Sequence, residues 1–148
     1  MQSTNQLIKF TASAGGIGYL PAPGTMASAI ALIIWYLLKP DIITSLLIIF
    51  ITIAIGIYVS GVMERSLGKD PSVVVIDEFA GMFVSLFMLE LSWLNLFLAF
   101  SLFRLLDIFK PLGIKRFESI NGGWGIMLDD FIAGIYTLCL MFIYQNGL

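Results

Sequence analysis

The sequence predicts an all-α integral membrane helical bundle, with about four or five membrane-embedded helices and a site at one membrane surface. Three observations carry that prediction. Of the 148 residues, 59% are hydrophobic and only 12% charged, with a mean hydropathy of +0.96. An average soluble domain has about a quarter of its residues charged, so so little charge could not cover a small water-exposed globule. The stretch Ile42 to Met63 (I-I-T-S-L-L-I-I-F-I-T-I-A-I-G-I-Y-V-S-G-V-M) holds no charge. At about 1.5 Å per residue it crosses a hydrocarbon core of about 30 Å. Finally, the few acidic and basic residues fall in short polar stretches that a regular alternation of spans gathers on one surface.

The elements follow in order, as one domain over residues 1–148. A short helix around Leu7 to Ala14 is expected to lie along the membrane. The first ten residues (M-Q-S-T-N-Q-L-I-K-F) lack the charged start, apolar stretch and cleavage site of a signal peptide. A Gly/Pro loop from Gly15 leads into the first apolar segment, Met26 to Leu38. Lys39-Pro40-Asp41 breaks it from the second, Ile42 to Met63. After Gly68-Lys69-Asp70-Pro71 comes the third, Phe79 to Leu91. Ser92-Trp93 separates that from the fourth, Leu94 to Leu106. A longer polar stretch, Asp107 to Asp130, precedes the fifth, Phe131 to Tyr144. Only the second spans comfortably. The others give roughly 20 Å of helix, so they borrow flanking residues or penetrate part-way. All are expected to be helical, since an open strand edge cannot be satisfied in lipid.

If the five segments alternate in direction, Lys9, Arg65, Lys69, Arg104, Lys110, Lys115 and Arg116 share one surface and Lys39 lies at the other. Positive residues favour the cytoplasm, so the loaded face is expected to be cytoplasmic. Glu64, Asp70, Asp77, Glu78, Asp107, Glu118, Asp129 and Asp130 fall on that same face, leaving Asp41 and Glu90 near the far side. No basic run suggests nucleic acid. Cys139 is the one cysteine, so neither a disulfide framework nor a cysteine metal site is possible.

Four stretches carry chemistry. In D-P-S-V-V-V-I-D-E-F-A-G-M (Asp70 to Met82), Asp77 and Glu78 are adjacent acids just before a membrane helix. Capping and the helix dipole explain one of them easily, both less well. In F-R-L-L-D-I-F-K-P (Phe103 to Pro111), the spacing sets Arg104 and Asp107 side by side on one helical face. An interfacial ion pair with a snorkelling Lys110 is one reading. The other has Asp107 as a metal ligand while the cations hold phosphate oxygens. In N-G-G-W-G-I-M-L-D-D-F-I-A-G (Asn121 to Gly134), Asp129 and Asp130 open the last apolar segment and repeat the arrangement of Asp77-Glu78. Five carboxylates on one face repel each other unless a cation or protons offset them. Oxygen ligands without His or thiolate suit Mg²⁺, Mn²⁺ or Ca²⁺ rather than zinc. In G-G-I-G-Y-L-P-A-P-G-T-M-A-S (Gly15 to Ser28), Thr25 and Ser28 stand near the start of a helix whose N–H groups suit phosphate. A P-loop lysine and the third glycine of a dinucleotide fingerprint are both lacking.

Absences narrow the reaction. With no histidine there is no His nucleophile or His-ligated metal. Gln145 stands where a cysteine phosphatase built on Cys139 would need arginine, and no D-x-D-x-T/V run offers an aspartyl nucleophile. Metal-activated water remains, with carboxylates as ligands and one as possible base; a carboxylate nucleophile also stays open.

In this order the four blocks resemble the phosphatidylglycerophosphatase A family: G-Y-L-P-A-P-G-T-M-A-S, L-G-K-D-P-S-V-V-V-I-D-E-F-A-G-M, F-R-L-L-D-I-F-K-P and G-G-W-G-I-M-L-D-D-F-I-A-G. Ala27 stands where the family usually has glycine, and Gly113 where a second proline is common. The resemblance implies Mg²⁺-dependent removal of the terminal phosphate from phosphatidylglycerophosphate, a phospholipid substrate met in a bacterial inner membrane. On that basis Asp77, Glu78, Asp107, Asp129 and Asp130 are the implied metal and catalytic cluster, with Glu64 an outer metal ligand. Lys69, Arg104 and Lys110 are implied phosphate-binding cations, and Thr25 joins them at the phosphate-facing helix start. The main alternative is a small ion- or proton-coupled transporter, since ionisable residues near membrane helices often mark ion paths. It would make Glu90, the one acid deep in an apolar run, as important as Asp77. A lipid phosphotransferase would need a D-x-x-D-G-x-x-A-R type of motif, which is absent, and a purely structural subunit would need no acidic pairs.

Overall fold

Local capping decides where the helices start. In a computed structural model describing residues 5–147, apart from the Glu118 side chain, the described residues form six α-helices and no strand. Asn5 caps α1 (Gln6–Ala12) by accepting from the Leu7 N–H. The α2 helix (Pro23–Leu38) starts with proline in its first turn and has no side-chain cap. Asp41 caps α3 (Ile42–Leu67), accepting from the N–H groups of Ile43 and Thr44 and from the Thr44 hydroxyl. Those bonds, the hydroxyl's first, hold the Asp41 carboxyl below its ordinary range. The α4 helix (Ile76–Ser85) is short; Ser92 caps α5 (Trp93–Phe109); and α6 (Gly123–Gln145) starts after Gly122. Two short 3₁₀ helices, Ile17–Tyr19 and Ile114–Ser119, lie in the connections.

Apart from shifts of one to four residues at other ends, the helices differ from the expected segments in three ways. The last helix begins at Gly123 rather than near Phe131, so Asp129 and Asp130 lie inside it, in its second turn. The third segment was expected to run to Leu91, yet α4 stops at Ser85. The chain turns through Met88, which has positive φ, and Asn95 Nδ2 donates to the Glu90 carbonyl at 2.9 Å. Glu90 is therefore an exposed residue of a connection, not an acid within a helix. Of the four or five embedded helices expected, two among the described residues are long and apolar enough to cross a membrane by themselves, α3 and α6.

Helix α6 is the centre of the bundle. It packs against α3, α4 and α5, and glycines set how closely. A Cβ on Gly134 would lie 2.5 Å from the Gly81 carbonyl oxygen, and one on Gly81 would lie 2.7 Å from the Asp130 carbonyl oxygen. The α4 and α6 backbones therefore touch, the small-residue packing that lets membrane helices approach. A Cβ on Gly123 would meet the Ile57 carbonyl at 1.8 Å, so α3 and α6 touch in the same way. Trp35, Phe83, Leu86, Leu96, Phe103 and Met141 fill the space toward α2 and α5; Val59, Met63, Ile76, Ile126 and Met127 fill the space toward α3. The outer faces are apolar as well: Ile43, Leu47, Phe50 and Tyr58 on α3 and Phe97, Ile108 and Phe109 on α5 are exposed. A continuous exposed apolar surface of this kind suits lipid, not water.

Candidate active site

Because α4 and α6 run in the same direction and touch at Gly81 and Gly134, the residues four positions earlier in each helix, one turn back, also meet. Those residues are Asp77 and Asp130. Asp77 and Glu78 sit in the first turn of α4, where acids commonly cap, but no side chain caps this helix. Asp130 is 2% exposed and Asp77 8%. One carboxylate oxygen from each of Asp77, Glu78 and Asp130 lies within 4.8 Å of the others. Asp77 Oδ1, Glu78 Oε2 and Asp130 Oδ2 are all buried without a hydrogen-bond partner. Buried oxygens left unsatisfied cost free energy unless something else meets them. Three converging carboxylates with free lone pairs fit a hard divalent cation.

Electrostatics agree with that geometry. Burial, then the nearby Glu78 charge, pushes the Asp77 carboxyl well above its ordinary 3.8. Burial also raises Glu78 above 4.5, against the lowering effect of its hydrogen bond with Asp77. Without a cation, the cluster resists carrying its full negative charge.

Two cations flank it. Arg104, near the end of α5, donates to Asp107 one turn on, the expected i, i+3 pair, and lies 3.5 Å from the Ser28 hydroxyl. Its Nε is buried with no partner. Lys110 is the C-cap of α5, in left-handed conformation at φ +45°, and its ammonium donates to Asp129 across the site. Asp129 also accepts from the Asp130 N–H at 3.0 Å.

The fourth wall is the start of α2. Gly24 lets the helix start pack tightly there: a Cβ would lie 2.3 Å from Glu78 Oε1 and 3.1 Å from the Arg104 guanidinium, so those side chains would have to shift. Ser28 donates to the Gly24 carbonyl at 2.8 Å and so stands where it steadies Arg104. This first turn, which has no side-chain cap, lines a cavity of about 330 Å³. Its lining includes Thr25, Asp77, Glu78, Arg104, Asp107, Lys110, Asp129 and Asp130. Eight of the residues singled out from the sequence are thus brought together. Glu64 and Lys69 are not among them. They line a neighbouring cavity of about 470 Å³, which shares Asp70 and Asp129 with the first. There Glu64 accepts from the Gly122 N–H and ties the end of α3 to the start of α6. Gly24 and Ser28 were not singled out as site residues; the signal available was their place in the P-G-T-M-A-S helix start. Glu118 lies outside the described side chains.

The profile of the phosphatidylglycerophosphatase A family matches residues 10–145. A Bacteroides thetaiotaomicron protein, provisionally named a phosphatidylinositol-3-phosphatase, is 39% identical over 137 residues, covering 85% of this chain and 86% of its own. A phosphatidylglycerophosphatase A of Escherichia coli is 36% identical over 133 residues, covering 86% of this chain and 77% of its own. One from Haemophilus influenzae is 36% identical over 130 residues, covering 84% and 80%. No solved structure matches.

Proposed function

The chain belongs to the phosphatidylglycerophosphatase A family, and from that premise we propose that it hydrolyses phosphatidylglycerophosphate to phosphatidylglycerol and phosphate with Mg²⁺ as cofactor. The observation that carries the reading is the convergence of three carboxylates, each with one buried oxygen that has no hydrogen-bond partner, beside Arg104 and Lys110 in one cavity. Asp77, Glu78 and Asp130 would hold the ion. A divalent cation at such a carboxylate site polarises phosphoryl oxygens and makes water more acidic.

The chain's own groups do the rest. The uncapped first turn of α2, with Thr25, and the free Nε of Arg104 receive the phosphate oxygens. Arg104 and Lys110 are each paired with a carboxylate, Asp107 and Asp129. A dianionic phosphate arriving between them competes for both cations. That frees Asp107 and Asp129 to accept the proton of the attacking water and to return one to the departing glycerol oxygen. A P–O bond forms to water as the P–O bond to glycerol breaks. Lys69 and Glu64, in the adjoining cavity, act on this reading from outside the reacting centre.

The membrane setting is part of the proposal. The enzyme is a multi-pass protein of the bacterial inner membrane with its site facing the cytoplasm. All its Lys and Arg residues except Lys39 belong to the site side. Helices α2, α4 and α5 are embedded between the two longer spans. The transporter alternative would need Glu90 as a functional acid within a span, and Glu90 is instead exposed in a connection.

Phosphate release by purified protein in detergent tests the reaction. Release from phosphatidylglycerophosphate that EDTA stops and Mg²⁺ restores is the expected result; none with any divalent ion refutes it. The Bacteroides relative favours a second reading, a phosphatidylinositol 3-phosphate substrate. The same assay with that lipid decides between them by the larger kcat/KM.

A further inference from the structure

Helices α2 and α5 wall the polar cavity on one side, and helical periodicity carries those same faces down into the apolar zone. On α2, Thr25 lines the cavity, while Ala29, Leu32 and Ile33 follow on that face at the i+4, i+7 and i+8 positions. On α5, Arg104 lines the cavity, and Phe100, Phe97 and Trp93 precede it at i−4, i−7 and i−11. These six residues line an apolar groove of about 280 Å³ between the two helices. It opens about one turn below the polar residues and ends at Trp93, about 16 Å from Arg104 along the axis. One leaflet of a hydrocarbon core of about 30 Å has the same depth.

We infer that this groove seats one acyl chain of the lipid whose phosphate monoester enters the polar cavity. The inference rests on the lipid phosphatase reading and adds to it how the lipid is held. The groove lies in helical register with the site on the same two helices, and its far end at Trp93 reaches about one leaflet's depth below Arg104. It offers little net affinity, because a chain that enters it leaves equally apolar lipid. Its effect is orientation. A chain lying along α2 and α5 brings its own headgroup up against Gly24, Thr25 and Arg104, so the phosphate meets the carboxylates in a fixed pose.

The test separates chain from headgroup. Ala29→Trp fills the groove and Phe97→Ala removes part of its wall; neither residue lines the polar cavity. Phosphate release is measured in mixed micelles from long-chain phosphatidylglycerophosphate and, separately, from glycerol 3-phosphate, which has no acyl chain. Ala29→Trp is expected to lower kcat/KM for the lipid by roughly ten-fold or more, since misplacement by 1 Å can cost about 10²-fold. Turnover of glycerol 3-phosphate is expected to stay unchanged, and Phe97→Ala to move the ratio of the two the same way by a smaller factor. Equal losses on both substrates, or no loss on the lipid, overturn the inference. A second measurement needs no turnover: phosphatidylglycerophosphate with a diazirine on its acyl chain is photolysed with the wild-type protein. Labelling is expected on α2 and α5, competed by unlabelled substrate lipid but not by phosphatidylcholine. Label spread evenly over α3 and α6 refutes the groove. Competed labelling of the groove in a protein that releases no phosphate from any monoester supports the groove and sinks the phosphatase reading.

Discussion

Asp77, Glu78 and Asp130 are the residues on which the chemistry stands, and each has a distinct signature when changed. Alanine at any of them is expected to lower kcat by more than the roughly 10–100-fold typical of residues behind a metal's direct ligands, with expression and helix content intact. Full activity in one of the three variants removes that residue from the site, and Glu90→Gln is expected to keep it. A pH effect follows from the buried carboxyls. Asp77 and Glu78 bind protons more tightly folded than unfolded, their folded-state values lying above 3.8 and 4.5. The folded state therefore holds more protons, and stability falls as pH rises through the shifted values. Cation-free protein should lose thermal midpoint from about pH 4 upward; Mg²⁺ should restore it at neutral pH in the wild type but not in Asp130→Asn. A midpoint that rises over that range would contradict the assignment. At this scale the sequence was informative where acids stood in adjacent pairs or at i, i+3, as with Arg104 and Asp107. The Lys110–Asp129 pair is formed only by tertiary folding between α5 and α6, and no local spacing announces it.

Elements place those residues, and glycine contacts place the elements. Gly81→Leu forces a side chain against Phe103 and the Asp130 carbonyl. Overpacking of that kind costs about 1–3 kcal/mol or more, and the carboxylates would separate as well. Purified Gly81→Leu should therefore lose both thermal midpoint and Mg²⁺-induced stabilisation. Gly24→Ala differs: its Cβ would press on Glu78 Oε1, so activity should fall while the thermal midpoint stays near wild type. Hydropathy located each of the five apolar helices, missed most ends by one to four residues, and misplaced two, the end of α4 and the start of α6, by more. The start of α6 is G-W-G-I-M-L, whose two glycines are poor helix formers that packing against α3 nevertheless holds helical. Conversely, the apolar run after Ser85 continues to Leu91, yet its backbone turns away. Leu86 and Leu89 are buried there, and Asn95 satisfies the Glu90 carbonyl. A hydropathy run reports burial, and burial is shared by helix and turn.

For the molecule as a whole, orientation is the open prediction. Ser119 is exposed beside the site. In a Cys139→Ser background, Ser119→Cys should react with a membrane-impermeant maleimide in inverted vesicles and not in intact cells; the reverse pattern would put the site outside. The all-helical bundle and the gathering of charge at one surface were legible because lipid permits few alternatives. How α2, α4 and α5 sit was not, since short apolar segments are ambiguous between crossing and partial entry. The Gly81–Gly134 contact also has a mechanical consequence. Bilayers of different thickness change the tilt of their helices, and two touching helices pivot about their point of contact. Here the carboxylates lie one turn from that fulcrum, a lever arm of about 6 Å. A relative tilt of about 10° then moves them by only about 1 Å, where a fulcrum at the far ends of the helices would move them several times as far. The short lever buffers the site against the composition of the membrane whose lipids the enzyme helps to make.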